Sequence, residues 1–285
     1  MKLIESDGRT TSALCLLTQS LGFVGHLDPR EMNVQLQIGW VKAKGGVFRA
    51  QLGGRFPTEA EQGLLNQLGA GEIPINPSTK YAGTLLLGAM LKAVTRRAKF
   101  LREADHIKRV PSPIYLLGSE RLLDVKLEMP EHVPAILEET GAVFHSGWRE
   151  DGANGRWPKT EIKMMHIVQW WLETERSTLR WPVVDVSAPN ALKTDGSFRP
   201  ANTVETVREW FCLKEWTPEP GHYLVVSSQP FCEGQKMAIE RAVRETGAEG
   251  YIFDVCGPAA PTLPLSRWLD NLAKQLWEEV QLLPK

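Results

Sequence analysis

The sequence lacks the signatures of several large protein classes. Its four cysteines are far apart and form neither a CxxC pair nor a metal-like spacing, so no metal site is predicted. The GxGxxG fingerprint and the P-loop pattern are both absent, which argues against a nicotinamide dehydrogenase and a P-loop kinase. No serine lies in a GxSxG elbow, so a serine hydrolase is also disfavoured.

A charge of one sign and long hydrophobic runs are also missing. The 33 basic and 34 acidic residues leave a formal net charge of -1, which offers no general field for nucleic acid or an acidic membrane. The apolar stretch near the N-terminus is short and interrupted, so neither a signal peptide nor a membrane span is predicted. We therefore expect a cytoplasmic protein with no nucleic-acid or membrane partner.

Five short apolar runs organise most of the 285 residues. Most of them end at Gly or Ser and lead toward a helix-patterned stretch. Runs that are apolar on both faces are typical of strands in a parallel sheet with helices as crossovers. The runs are 84–87, 114–117, 183–186, 223–226 and 251–255. They predict an α/β fold over residues 81–285, a Rossmann-like and mostly parallel sheet flanked by helices.

Residues 1–80 follow a different pattern. After a first helix, residues 33–40 alternate between apolar and polar, and this period of two predicts a half-buried strand. A glycine-containing turn would return the chain as a second strand at 47–52. The capping box from Thr58 to Glu61 then opens a short helix. We predict an N-terminal α+β appendage made of a helix, a β-hairpin and a helix.

The candidate site lies at the carboxyl ends of the predicted strands, where parallel sheets bind their ligands. Glycine at two strand ends leaves room for close approach of a ligand to the backbone. Helix starts near residues 89, 160, 202 and 233 aim free N–H groups at the same edge, which favours a phosphate or carboxylate. The predicted ligand-binding residues are Gly88, Arg96, Gly118, Ser119, Arg121, Asn202, Thr203, Ser227, Ser228, Gln229 and Lys236.

Glu161 and Glu205 come early in two of the predicted helices and are the predicted catalytic residues. A carboxylate there could recognise ribose hydroxyls or act as a base. The alternative is helix capping and compensation of the helix dipole, and for Glu205 both interpretations remain open. Thr160 can already cap the helix of Glu161, which favours a functional role for that carboxylate. Asn202 is predicted to be a helix cap, alone or one that also faces the ligand.

Three local patterns, in this order, resemble the DUF218 (YdcF/SanA/ElyC-like) family, and together they cover about residues 81–257. The first consists of two strands that end in glycine and are followed by arginine. The second is similar to the family's Thr-Glu-Ala helix start, and the third looks like its Asn-Thr-x-Glu signature. The residues that carry them are Gly88 with Arg96 and Arg97, Gly118-Ser119 with Arg121, Thr160-Glu161, and Asn202-Thr203-Val204-Glu205.

The resemblance implies a Rossmann-like fold and a ligand site, and one class of the family has been linked to S-adenosylmethionine. The chain departs from the family pattern at Thr206, where a second Asn is common, and at Gln235-Lys236, where an Arg pair is common. A detailed ligand pose is therefore not transferred. The cofactor is left unknown, with S-adenosylmethionine and a nucleotide as the candidates.

The sequence favours an enzyme that acts on a nucleotide, nucleoside or phosphosugar-like ligand by group transfer or hydrolysis. The loop 145–158, rich in Gly and Trp, is predicted to close over the site. A regulatory module that binds or sequesters a nucleotide or S-adenosylmethionine without catalysis is the first alternative. The ten tryptophans leave a second one, an oligomeric scaffold with a Trp-rich interface.

Overall fold

The computed structural model describes residues 2–41, 52, 54–105, 112–140, 157–174 and 182–283. Its helices are α1 (Ser12–Ser20), α2 (Pro29–Gly39), α3 (Glu59–Leu65), α4 (Leu91–Asp105), α5 (Val133–Thr140), α6 (Glu161–Thr174), α7 (Thr203–Phe211), α8 (Cys232–Thr246) and α9 (Leu265–Gln281). Its strands are β1 (Gly83–Leu87), β2 (Ile114–Ser119), β3 (Val183–Ala188), β4 (Ala191–Leu192), β5 (Phe198–Arg199), β6 (Gly221–Val226) and β7 (Tyr251–Cys256). None of the helices in these ranges has both the length and the apolarity to cross a bilayer.

Five strands form one parallel sheet in the order β3-β2-β1-β6-β7, and β4 and β5 form a small antiparallel hairpin. The chain moves outward from the central β1 through β2 to β3, and then returns to the other side of β1 with β6 and β7. The strand order therefore reverses between β1 and β6. The predicted α/β class and the predicted parallel sheet flanked by helices are confirmed.

The central strands β1 and β2 are buried along their whole length because helices cover both faces of the sheet, whereas the edge strands β3 and β7 also carry exposed residues. Leu86 and Leu116 pack on one side with residues of α4 and α6. Leu85 and Leu117 pack on the other side with residues of α7 and α8. Each run could therefore be recognised from its composition alone.

The chain divides into two compact units. The sheet unit comprises residues 73–228 and 238–258, and the second unit comprises residues 1–72, 229–237 and 259–285. The sequence analysis assigns the C-terminal helix to the sheet domain. In the structure, α9 buries leucines in one core with residues of α1 and α2, within the second unit.

The predicted strand at 33–40 is wrong, because Pro29–Gly39 forms helix α2. The helix begins at the N-cap Asp28, whose side chain accepts a hydrogen bond from the backbone N–H of Arg30. Residues two apart lie on opposite sides of a helix, so Leu36 is buried while Ile38 is exposed. The alternating apolar residues that suggested a strand therefore lie on both the buried and the exposed face of this helix. The predicted return strand at 47–52 lies, except for Leu52, outside the described residues.

Candidate functional site

Polar side chains gather at the carboxyl ends of β1, β2 and β6, within the sheet unit. We refer to them as the strand-end network. It consists of two carboxylates, two guanidinium groups and two serine hydroxyls, each bonded to another member or to the backbone beside it. Its members are Arg97, Ser119, Arg121, Glu128, Glu161 and Ser228.

Glu161 is the first residue of α6 and is only 8% exposed. Its Oε2 accepts hydrogen bonds from the backbone N–H of Ser119, at 3.0 Å, and from the Ser119 hydroxyl, at 2.5 Å. Its Oε1 lies 3.7 Å from Nη2 of Arg121, beyond hydrogen-bond distance. The end of β2 therefore fixes one oxygen of this carboxylate and leaves the other with acceptor capacity.

Glu128 is fully buried and is the strongest ionic partner of Arg121. The two groups form a bidentate pair, with N–O distances of 2.6 and 3.1 Å. The carboxylate also accepts from the backbone N–H of Leu91, at 2.9 Å, and from that of Asp124, at 2.8 Å. Because Leu91 begins α4, the positive end of that helix is capped by a carboxylate of the same chain.

The pKa of Arg121 is shifted by its burial and by the two neighbouring carboxylates. Burial lowers the pKa of the guanidinium, and the hydrogen bonds of Glu128 together with the negative charges of Glu161 and Glu128 more than reverse that effect. The net direction is upward from the ordinary arginine value, so Arg121 is charged at neutral pH. Its charge is already shared between two carboxylates.

Arg97 lies at the point where the strand order reverses, and it is 3% exposed. Its Nη1 donates to the carbonyl oxygens of Leu87 and Gly88, at 2.7 and 2.8 Å. Its Nη2 donates to the hydroxyl of Ser228, at 3.3 Å, just after β6. One side chain from α4 thus joins the ends of the two strands between which a ligand would bind.

The glycines at the strand ends lie against helix α6. A Cβ on Gly88 would lie 2.8 Å from the carbonyl oxygen of Leu117 and 3.0 Å from the carboxylate of Glu161. A Cβ on Gly118 would lie 2.9 Å from the sulfur of Met165. A side chain at either position would therefore force a neighbouring group of β2 or α6 to shift. That either glycine also approaches a ligand stays a prediction.

Asn202 and Glu205 form a separate cluster at the start of α7. The Asn202 side chain accepts from the backbone N–H of Glu205, and the Glu205 carboxylate accepts from that of Asn202, which is a complete capping box. Arg199 donates to both oxygens of Glu205, at 2.8 and 2.6 Å. These bonds lower the pKa of Glu205. Thr203 is the first residue of the helix. A catalytic role for Glu205 stays a prediction.

The remaining predicted ligand residues lie in three different places. Ser227 is fully buried after β6, and its hydroxyl has no hydrogen-bond partner within the described ranges. Gln229 and Lys236 belong to the second unit, and Gln229 is 5% exposed. Arg96 is half-buried on α4, where burial lowers its pKa and the charge of Glu139 opposes that effect. Their ligand contacts stay predictions.

The sequence analysis gave no role to Glu128. No local pattern marks Glu128, because its role depends on the N-terminus of α4, 37 residues earlier in the chain. Of the predicted loop 145–158, only Trp157 and Pro158 are described. The indole N–H of Trp157 donates to the carbonyl oxygen of Glu128, at 2.7 Å.

Three tryptophans of the described ranges lie in cores, whereas Trp216 and Trp277 are exposed at 43% and 37%. Trp40 and Trp268 are buried in the second unit, and Trp210 is buried in the sheet unit. In the part of the chain that the structure describes, no cluster of three or more His, Cys, Asp or Glu side chains is placed to hold a metal ion.

Comparison of the chain with protein-family models, curated proteins and solved structures gives no match. The resemblance to the DUF218 family therefore stays a prediction. The structure itself establishes a parallel α/β fold that is compatible with a ligand-binding site at its strand ends.

Proposed function

We propose that the chain is a cytosolic enzyme that acts on a nucleotide, nucleoside or phosphosugar-like ligand by group transfer or hydrolysis. One observation carries this proposal. Glu161 is a buried carboxylate at the carboxyl end of β2, with one oxygen fixed by Ser119 and the other 3.7 Å from its nearest ionic partner. The resemblance to the DUF218 family adds S-adenosylmethionine to the candidate ligands.

The geometry around Glu161 suits an acceptor of protons or of hydroxyl hydrogen bonds. Ser119 binds only Oε2, so the carboxylate is oriented while Oε1 keeps its lone pairs. In the proposed complex, Oε1 accepts a hydrogen bond from a ribose-type hydroxyl or from the attacking water. The bonds from Ser119 hold the carboxylate in place during the proton transfer.

Replacement of Glu161 by Gln tests the proposal. Small molecules that copurify with the protein are identified by mass spectrometry, and nucleosides, nucleotides and S-adenosylmethionine are screened by thermal shift. A ligand at about 100 times its Kd stabilises the protein by about 2.7 kcal/mol. We expect turnover of that ligand to fall by about 10²–10⁴-fold in Glu161→Gln, because a positioned acid or base supplies an effect of that size. Glu120→Gln, at an exposed neighbouring position, is the control. A folded Glu161→Gln protein with unchanged binding and turnover would contradict the proposal.

A binding or sequestering module is the second candidate. It is favoured by the hydrogen bonds that already occupy the carboxylate of Glu205. Both oxygens of that carboxylate are bonded to Arg199, which leaves Glu161 as the predicted catalytic carboxylate with acceptor capacity. Reactions that use an acid and a base need a second group. Incubation of the ligand with stoichiometric protein separates the candidates, since a sequestering module returns the ligand unchanged after denaturation.

A further inference from the structure

The first helix after the central strand is where a parallel α/β protein most readily receives the anionic part of a ligand. Free N–H groups and the helix dipole both favour a negative charge at that position. Here the N–H of Leu91, at the start of α4, already donates to Oε1 of Glu128 at 2.9 Å. The carboxylate that it binds is fully buried.

The two arginines of the strand-end network also bind groups of the chain itself. Arg121 gives Glu128 a bidentate pair and also faces Glu161. Arg97 donates to two backbone carbonyl oxygens and to the hydroxyl of Ser228. An incoming phosphate would therefore have to replace bonds that the chain makes to itself.

We infer that Glu128 is a specificity-determining residue: its carboxylate takes the place of a ligand anion at the start of α4, so the site recognises hydroxyl or amino donors through Glu161. The inference rests on the proposed function and narrows its substrate class. The ligand presents a nucleoside-type or sugar-type hydroxyl group to Glu161. A phosphate on that ligand binds neither Arg121 nor the N-terminus of α4.

The Glu128 carboxylate is held at the start of α4 by several hydrogen bonds and by its own attachment to the chain. Glu128 accepts hydrogen bonds from Arg121, Leu91 and Asp124, and its tether to the chain keeps it there without any cost of association. A free anion must compete with an intramolecular group, whose effective concentration is high. Removal of the carboxylate would leave these donors facing a space that a small anion can enter.

Inorganic phosphate is the probe, because it tests the inference without knowledge of the ligand. Thermal shift and isothermal titration are carried out on the wild type, on Glu128→Ala and on the control Glu131→Ala, an exposed carboxylate three residues away. We expect no saturable phosphate response in the wild type or the control. Glu128→Ala should bind phosphate at least about tenfold more tightly than the wild type does. The double variant Glu128→Ala/Arg121→Gln should lose that response.

Two results would overturn the inference. The first is phosphate binding to the wild type that Arg121→Gln abolishes. The second is a folded Glu128→Ala protein that responds to neither phosphate nor acetate. If Glu128→Ala does not fold in plain buffer, its folded fraction by circular dichroism should rise with phosphate but not with chloride at equal ionic strength, and the absence of that rise also overturns the inference.

The two proposals can fail separately. A wild-type protein that binds phosphate through Arg121 overturns the role of Glu128 and leaves the enzyme proposal standing. Phosphate results as expected, together with unchanged ligand turnover in Glu161→Gln, reject the enzyme proposal and leave the role of Glu128 standing.

Discussion

Two helices in different units begin with the same arrangement of charge. Arg55, Thr58 and Glu61 stand at three-residue spacing before and within α3, and Arg199, Asn202 and Glu205 repeat that spacing at α7. In each case the glutamate completes a capping box and accepts two hydrogen bonds from the arginine. The N–O distances are 2.8 and 2.7 Å at α3 and 2.8 and 2.6 Å at α7. We call these two arrangements the capping clamps.

The comparison bears on Glu205, which the sequence analysis leaves open between catalysis and capping. The clamp at α3 has no predicted ligand residue in it, yet its geometry matches that of the clamp at α7 within 0.1 Å in both arginine bonds. Capping alone therefore explains the contacts of Glu205. The strand-end network differs, because Glu128 also accepts from Leu91, 37 residues earlier, and Glu161 accepts from Ser119, 42 residues earlier.

The largest expected effect separates the strand-end network from the clamps. Glu128→Gln should lower the free energy of unfolding by about 3–5 kcal/mol, since it removes a fully buried carboxylate and leaves the partly buried Arg121 charge without its main partner. Glu205→Gln should cost clearly less, because Glu205 and Arg199 are partly exposed, at 24% and 38%. Urea denaturation of both variants checks this order. Equal losses would mean that the clamp and the network are energetically alike.

The next effect concerns the glycine beside Glu161. Gly88→Ala should cost about 1–3 kcal/mol, because the new Cβ meets the backbone oxygen of Leu117 and the carboxylate of Glu161. Gly63→Ala, in the clamp helix α3, is the matched control, since a Cβ there meets nothing within 4 Å. It should leave stability unchanged or raise it, as alanine favours a helix. Urea denaturation of the two variants checks both expectations, and a Gly88→Ala protein as stable as the wild type would contradict the packing of α6 described above.

The capping residues and the strands could be predicted from the sequence because their determinants are local. Capping residues were recognised at Thr58 and Asn202 from spacing alone, and the strands of the sheet from apolar runs. The misassigned helix α2 shows where local evidence fails. Its apolar residues at alternate positions fit a strand, and the N-cap Asp28 with Pro29 was the competing signal.

The proximity of several candidate residues was predictable, but their contacts were not, and that this edge of the sheet binds a ligand stays a prediction. Strand ends located Gly88, Ser119 and Glu161 correctly at one edge of the sheet, because parallel strands share that edge. The engagement of Arg121 by Glu128 could not be foreseen, since the segment between β2 and α5 has no periodic pattern. A free arginine and a paired arginine look the same in a sequence.

A smaller effect tests whether the two clamps are equivalent. Thr58→Ala and Asn202→Ala should each cost about 1 kcal/mol, because each removes the side-chain oxygen that accepts from the third residue of its helix. Thr58→Ser and Asn202→Ser keep an oxygen there and should remain close to the wild type. Urea denaturation gives the four values. A loss at Asn202 much greater than the loss at Thr58 would show that the α7 clamp does more than cap its helix.

A further prediction concerns the dependence of the clamps on pH. Hydrogen bonds from Arg55 lower the pKa of Glu61 from 4.5 to about 2, and those from Arg199 lower the pKa of Glu205. A lowered pKa means that the unfolded state binds protons more readily, so this stability is present above about pH 4.5 and is lost as the pH falls toward 2. Glu61→Gln and Glu205→Gln should therefore each flatten the acid limb of a plot of unfolding free energy against pH, whereas Glu59→Gln, exposed in the same turn as Glu61, should not. An acid limb that stays equally steep in Glu61→Gln would show that its arginine bonds add nothing to stability.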